Sequence, residues 1–502
     1  MLEAGDRIKT MDFGVWQNYL LTGSLPYTPY DDLNYPQRDA PGENASVGGT
    51  ELPLRGGRVF VYGGSTMHWG GWSFRLKPED FQLKTNTGQA LDWLFGYETL
   101  EPYYCQAEDY LAVSGDSADK TVPRSRPYPF HEFPFTLEDK PIVTAMEKLG
   151  YAYGHLPIAR RGISSVPSRH APCQTTGTCK YCPFGARYVA SNYMDDLRAW
   201  NDYPNLDIKL GAIVKSLRMD GKTRVAGLTY VDKTTGEAVL VDADRIIVAA
   251  GTIESAKLLL RSKPDEWPKG VGNDSDMVGR HIITHPYFVF TGALPTNPLK
   301  LQPEMNFPTF VTRHFDSPEE QAKGKFMLIA PPDTVPIALA GQMQGGQTRA
   351  AIDASIVGSN LLQVHGMIEV FGRFNNRVTN LPRLNHLGME ETSVDYTKDS
   401  GFDDRMAEIQ KHVTDIYEAM GGTLSSKPSI SWRVDHAAST CRMSKDETEG
   451  VVDADLRVHG VDNLYVCSNA VFPSIGSINP TVTLTALSLK LADHLNDAGA
   501  QE

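Results

Sequence analysis

Residues 173–182 read CQTTGTCKYC, and this run holds three of the six cysteines in a chain of 502 residues. Thiols so close together pair as disulfides, hold zinc, hold an iron–sulfur cluster, or stay unligated. Three thiols leave one over, and nothing in the sequence establishes an oxidising compartment, so a disulfide network is disfavoured. His170, Cys173, Cys179 and Cys182 spell H-x2-C-x5-C-x2-C, donors enough for a tetrahedral zinc site. The glycine and small residues between the cysteines also let backbone N–H groups turn toward sulfides. Pro183 follows Cys182, as a proline does at the close of many cluster-binding runs.

Other residues with chemistry to offer lie at strand ends and helix starts. The run MLEAGD reads as the end of a strand and a glycine bend, which puts Glu3 where a carboxylate accepts hydrogen bonds from a ribose. A G-x-G-x-x-G loop about 20 residues earlier normally accompanies such an acid, and this sequence has none. The run GGRVFVYGGSTMHWGG over 56–71 reads as a short strand at 58–62 followed by Gly63 and Gly64. That double glycine permits positive φ and close approach to a planar ligand, with His68 and Trp69 just beyond. RIIVAAGTIESAKLLL predicts a fully buried parallel strand at 246–248, a bend at Gly251 and a helix, a joint that offers N–H groups to a phosphate. Further on, Pro480 opens an amphipathic helix and Asn479 sits at its cap with its side chain free to face a ligand.

Composition narrows the class. Hydrophobic residues at 41% and charged residues at 22% are those of a globular protein of two or three units. A net charge of −13 argues against nucleic acid and against a basic membrane patch. No apolar run is long enough to span a bilayer. Asp6, Arg7, Lys9 and Asp12 interrupt the first thirty residues, which predicts no signal peptide.

Four motifs together resemble the glucose–methanol–choline family of flavin oxidoreductases: LEAG at 2–5, GGSTMHWGG at 63–71, HAASTCRMS at 436–444, and the 450–493 stretch that ends in NPTVTLTALSLKLAD. Within it the likeness is to bacterial sugar dehydrogenase flavoproteins and to pyranose oxidase. The resemblance implies an α/β fold: a discontinuous, Rossmann-like FAD-binding domain at 1–85, 166–285 and 431–502. It implies a substrate domain with an antiparallel sheet and helices at 86–165 and 286–430. It implies FAD contacts at Glu3, Gly63, Gly64, His68, Trp69, Val214, Gly251, Asn469, Ala470, Pro480 and Thr481. In some relatives the histidine matching His68 bonds FAD covalently. The missing first glycine loop departs from the pattern. The expectation is a chain given without its first segment, the alternative being a flavin-free, non-catalytic homologue.

The resemblance also implies the chemistry. Alcohol oxidation needs a hydride acceptor, which FAD supplies, and a base with a pKa near working pH. His436 matches the family's catalytic histidine. Asn479 matches the second catalytic position and, lacking a titratable proton, orients the hydroxyl. His281 and His285 read as structural. The sugar dehydrogenase relatives carry a three-iron, four-sulfur cluster on three cysteines before a stretch like CPFGA at 182–186, which assigns such a cluster to Cys173, Cys179 and Cys182, with one spacing a residue shorter here. The implied function is oxidation of a secondary hydroxyl of a sugar or glycoside, with C3 of a glycoside among the possibilities and with electrons passed to an external acceptor. A sugar oxidase using oxygen is the alternative. The implied partners are a small subunit that carries the chain to the periplasm and a cytochrome acceptor. Without them the chain is expected in the cytoplasm.

Overall fold

A computed structural model describes residues 1–8, 11–22, 44–54, 59–67, 69–162, 171–175, 179, 181–200, 203–296, 307–331, 336–356, 360–384 and 388–499. His68, His170 and residue 58 of the 58–62 run lie outside them.

The N-terminal run threads between two other segments. Leu2 bridges Lys209 and Asp6 bridges Val61, both in parallel sense. The Glu3 N–H donates to the Lys209 carbonyl at 2.9 Å and the Tyr62 N–H to the Asp6 carbonyl at 3.0 Å. A side chain at Gly5 would fall 2.4 Å from the Val61 backbone, so the crossing needs a glycine. The strand expected over 58–62 is reduced, in its described part, to that one bridge at Val61. The double glycine that follows turns the chain out of the extended conformation and into a short 3-10 helix, Gly64–Met67.

The alternating run 212–242 folds as a three-stranded antiparallel sheet of Ala212–Asp220, Arg224–Asp232 and Ala238–Asp242. Ile246–Val248 then pairs in parallel with Leu464–Val466, in register Ile246 to Leu464, and runs through Gly251 into the helix Gly251–Arg261. The expectation of complete burial for this strand fails at Ile247, which is 47% exposed. Side chains alternate faces along a strand, and only the face carrying Ile246 and Val248 is covered. The C-terminal helix runs Thr481–Gly499, one residue later than expected, and the Pro480 carbonyl accepts the Leu484 N–H at 2.9 Å.

The second layer is a seven-stranded antiparallel sheet. Its order is Thr423–Leu424, Tyr287–Ala293, Leu361–Ile368, Phe326–Ala330, Phe310–Thr312 and Gly154–His155, with Ser429–Ser431 also on Tyr287–Ala293. The run FMLIA shows how it is packed. Phe326, Leu328 and Ala330 face a core shared with the helices Lys140–Leu149 and Phe402–Ala419, whereas Met327 and Ile329 face a second core that takes in Val248, Leu259 and Val466. Phe326–Ala330, covered on both faces, is apolar throughout. The sheet thus stands as a wall between the helices and the segments that carry the predicted cofactor contacts.

Candidate active site

Two loops and one strand entrance build the site. Residues 439–443 run beside 469–471, through N–H to carbonyl bonds from Ser439 to Asn469 (3.1 Å), Cys441 to Ala470 (2.8 Å) and Met443 to Val471 (2.8 Å). On the other side Ala438 pairs antiparallel with Ile283, with bonds of 2.9 and 3.2 Å. In antiparallel register the residue two after Ile283 comes opposite the residue two before Ala438. Those residues are His285 and His436. Their Nδ1 atoms lie 3.0 Å apart and their rings stand nearly perpendicular, at 84°. Asn479, 43 residues further along, brings its Nδ2 to 3.1 Å from His436 Nε2.

The protons of this chain follow from one fixed acceptor. His285 Nε2 lies 2.8 Å from the Gly476 carbonyl, which only accepts, so Nε2 carries the hydrogen. Burial lowers the pKa of His285 to about 4, so the ring is neutral and its Nδ1 is an acceptor. His436 Nδ1 must then donate to it. That leaves His436 Nε2 as a lone pair, met by the N–H2 end of Asn479. Burial first, then the nearby His285 and Arg433, hold the pKa of His436 well below the usual histidine value. His285 was read from the sequence as structural. The structure corrects this: it is buried, 3% exposed, and it fixes the tautomer of His436. No spacing rule reveals it, because the pairing of Ile283 with Ala438 is tertiary. His281 makes no contact of this kind and stacks edge-on with Phe374.

Of the predicted cofactor contacts, Gly251, Asn469, Ala470, Pro480 and Thr481 adjoin the loops of this chain, and the others lie on further segments. Gly64 and Gly251 have φ of +54° and +73°, and a Cβ at either would meet nothing within 4 Å. Open space beside a positive-φ backbone suits a large planar or phosphate-bearing ligand. Thr252, next to Gly251, donates its hydroxyl to the Ala437 carbonyl at 2.5 Å, which ties that helix start to the His436 loop. Asn469 Oδ1 is buried with no partner, an acceptor a bound ligand would satisfy. Ala470 is wholly buried against the His436 loop. Glu3 Oε1 accepts the Gly5 N–H at 2.8 Å, and burial raises the pKa of its carboxyl. Val214 is half-buried on its strand, and Trp69 donates Nε1–H to the Tyr188 carbonyl at 2.9 Å. Pro480 and Thr481 stand where the C-terminal helix begins. These observations fit a flavin nucleotide.

The cysteine run hangs from the segment that holds Trp69. Tyr188 N–H donates to Ala159 O at 3.0 Å, Arg161 N–H to Ala186 O at 3.2 Å, and Cys173 N–H to Arg161 O at 2.9 Å. Cys173, Cys179 and Cys182 form no disulfide, and Cys173 Sγ accepts the Thr175 N–H at 3.4 Å. Among the described residues no three His, Cys, Asp or Glu side chains are gathered as a metal site. The zinc alternative needs His170, which lies outside those residues.

Sequence reading also missed a polar row on the sheet. Tyr287 OH lies 2.5 Å from His365 Nδ1, and His365 Nε2 lies 2.9 Å from Gln363 Oε1. Tyr287 lies on the face of its strand opposite Phe288 and Phe290, two residues beyond His285. The only sequence signal was the alternation of YFVFTGA and LLQVHGMI.

Comparison with known proteins identifies the class. Residues 41–287 and 373–488 match the N- and C-terminal models of the GMC oxidoreductases, and the chain belongs to that family. The chain is 28% identical to the fructose dehydrogenase large subunit of Gluconobacter japonicus over 94% of its own length and 87% of the relative's. It is 29% identical to the 6'''-hydroxyparomomycin C oxidase of Streptomyces lividus, over 86% and 79%. The pyridoxine 4-oxidase of Mesorbium loti has the same fold, with a TM-score of 0.64 at 18% identity, over 99% of this chain and 94% of that one.

Proposed function

We propose that this chain is an FAD-dependent dehydrogenase that oxidises a secondary hydroxyl of a sugar or glycoside. The observation that carries the reading is the hydrogen-bond chain Gly476–His285–His436–Asn479, which presents one unprotonated ring nitrogen, His436 Nε2, beside an amide. His436 takes the hydroxyl proton on that nitrogen. Asn479 holds the hydroxyl oxygen with its amide, and its buried, unpartnered Oδ1 offers a further acceptor. The two electrons and the carbinol hydrogen leave as hydride, for which FAD, when bound, is the acceptor. Glu3, Gly63, Gly64, Trp69, Val214, Gly251, Asn469, Ala470, Pro480 and Thr481 would hold it, with His68 as a candidate for covalent attachment. The polar row of Tyr287, His365 and Gln363 supports a hydroxyl-rich substrate, as do relatives named for fructose and 6'''-hydroxyparomomycin C. A C-glycoside 3-oxidase among the relatives, at 25% identity, keeps C3 of a glycoside among the positions to test.

For the electrons' exit we propose a cluster on Cys173, Cys179 and Cys182. Three thiols without disulfides and an N–H donated to the Cys173 sulfur support that reading. Such a cluster supplies one-electron transfer to an acceptor outside the chain. A relative described as a large subunit supports a small partner, and we propose with it a cytochrome acceptor and a periplasmic location. Among the described residues no helix is long and apolar enough to cross a membrane.

The test is dye-linked turnover on a panel of sugars and glycosides, with hydrogen peroxide measured in parallel. Dye reduction without peroxide supports the dehydrogenase. The oxidase reading, favoured by several relatives' names, requires peroxide to accumulate at the rate of substrate loss. A protein that binds no flavin on reconstitution would sink both.

A further inference from the structure

The strand beside that of Tyr287 leads to a charge that the proton chain does not use. Ser429–Ser431 pairs antiparallel with Tyr287–Ala293, with Ser431 opposite Tyr287. Two residues beyond that pair, the same register brings Arg433 opposite His285. A contact agrees with it: the Thr284 hydroxyl donates to the Arg433 carbonyl. Arg433 also lies three residues before His436. It is thus tied to both histidines of the site, to one by pairing and to the other by the chain.

Two groups of the site feel this charge. Burial first, then His285 and Arg433, lower the pKa of His436. Burial raises the pKa of Tyr287, and Arg433 pulls against that rise. The guanidinium therefore lies within electrostatic reach of the base and of the polar row. Its side chain is 39% exposed, so the charge stands where the site opens to solvent. Its partner is Asp435, and the pair is lopsided. Asp435 Oδ1 is buried with no hydrogen-bond partner, and burial raises the pKa of that carboxyl. The guanidinium stays charged at any working pH. Of the two, it is Arg433 whose charge bears on His436 and Tyr287.

We propose that Arg433 is a specificity-determining residue: its guanidinium, at the opening beside His436 and Tyr287, makes the site favour acidic and neutral sugars over amino sugars. The inference rests on the functional reading above and narrows its substrate class. A substrate held between His436 and the polar row lies in the field of this cation. A carboxylate on it is attracted and an ammonium repelled, in the bound state and on approach.

The experiment compares methyl glucoside with two analogues, one with the primary alcohol replaced by an amine and one with it oxidised to a carboxylate. All three keep their secondary hydroxyls. The readout is kcat/KM by dye reduction; for an analogue that is not oxidised, it is the inhibition constant against a sugar that is. In wild type the carboxylate should lead the amine by about three- to tenfold. The ratio should shrink toward one as salt is raised to about 1 M, where screening acts within about 3 Å. Arg433→Gln, which keeps an amide for Asp435, should lose the ratio, and Arg433→Lys should retain it. A role in folding alone would lower all three substrates together and leave the ratio as it was. If Arg433→Gln does not fold, the salt response of wild type decides. An unchanged ratio in folded Arg433→Gln, a ratio indifferent to salt, or a wild type that prefers the amine overturns the proposal. A flavin-bound wild type that neither oxidises nor binds any sugar sinks the functional reading and this inference with it. Sugar oxidation with the same ratio in wild type and Arg433→Gln sinks the inference alone.

Discussion

At the residue scale the site is a question of where single protons sit. Removing His436 removes the lone pair that faces Asn479. His436→Ala should lose about 10²–10⁴-fold in turnover while keeping its flavin. Asn479→Ala should lose less, because an amide orients and does not take the proton. Near-normal turnover in His436→Ala would refute the assignment. His285 acts through His436. His285→Leu should cost on the order of ten- to hundredfold, as loss of a partner that orients a histidine does. His285→Gln, whose amide can donate to Gly476 and accept from His436, should recover part of it; a structural role alone would give no such recovery. The pH profile carries the sign. His436 is held well below the usual histidine value, so it loses its lone pair only in acid. The acid limb of kcat/KM should therefore lie below about pH 6.5, the ordinary histidine value. A limb at or above that value counts against the buried, neutral pair. His436 and Asn479 were legible in the sequence through HAASTCRMS and NPTVTLTAL. His285 was not, because its role is created by a register between strands that no local pattern encodes.

At the element scale the catalytic loop is held from behind. Gly476, whose carbonyl orients His285, has φ of +56°, and a Cβ there would meet Leu76 Cδ2 at 3.0 Å and Asp80 Oδ2 at 3.3 Å. Gly476→Ala should cost about 1–2 kcal/mol from the left-handed backbone alone. It should also lower turnover, because the carbonyl moves. A fall in Tm with unchanged kcat would separate the loop from the chemistry. Asp80 is itself one corner of a buried charge cluster. Lys325 sits between Asp80 and Asp316, the latter at 2.9 Å, with Glu369 close by and its carboxyl pushed up to about 8 chiefly by burial. Lys325→Met would leave the buried Asp80 without its cation, while Asp316 keeps Arg313, and should destabilise the protein by about 3–5 kcal/mol in denaturant unfolding. Here the sequence was partly readable. The strand and helix at 246–261 follow from the apolar pattern of RIIVAAGTIESAKLLL. The exposure of Ile247 does not, since burial of a strand's second face depends on what packs there. The shortening of the 58–62 strand depends likewise on the single contact of Val61 with Asp6.

At the scale of the whole molecule the two halves of the reaction occupy different segments. In the proposed reaction, proton removal falls to the loops that carry His436 and Asn479, and electron exit to the cysteine run. Hydrogen bonds tie the cysteine run to the segment of Trp69. Cys173 hangs from Arg161, Arg161 from Ala186, and Tyr188, two residues on, receives the indole N–H of Trp69. The remaining thiols take no part: burial raises those of Cys441 and Cys467 to about 12, and Cys105 bonds to Glu101. The halves should therefore separate by mutation. In Cys173→Ser, substrate mixed with enzyme in the absence of oxygen should still bleach the flavin at close to the wild-type rate, because no group near His436 has changed. Steady-state turnover with a protein acceptor such as a cytochrome should fall at least tenfold, because the route out is cut. A small dye that reaches the flavin directly should bypass the defect in part. Substrate bleaching lost together with acceptor turnover would mean that the cysteines serve the fold of the flavin site. Turnover unchanged with every acceptor would mean that electrons leave without them.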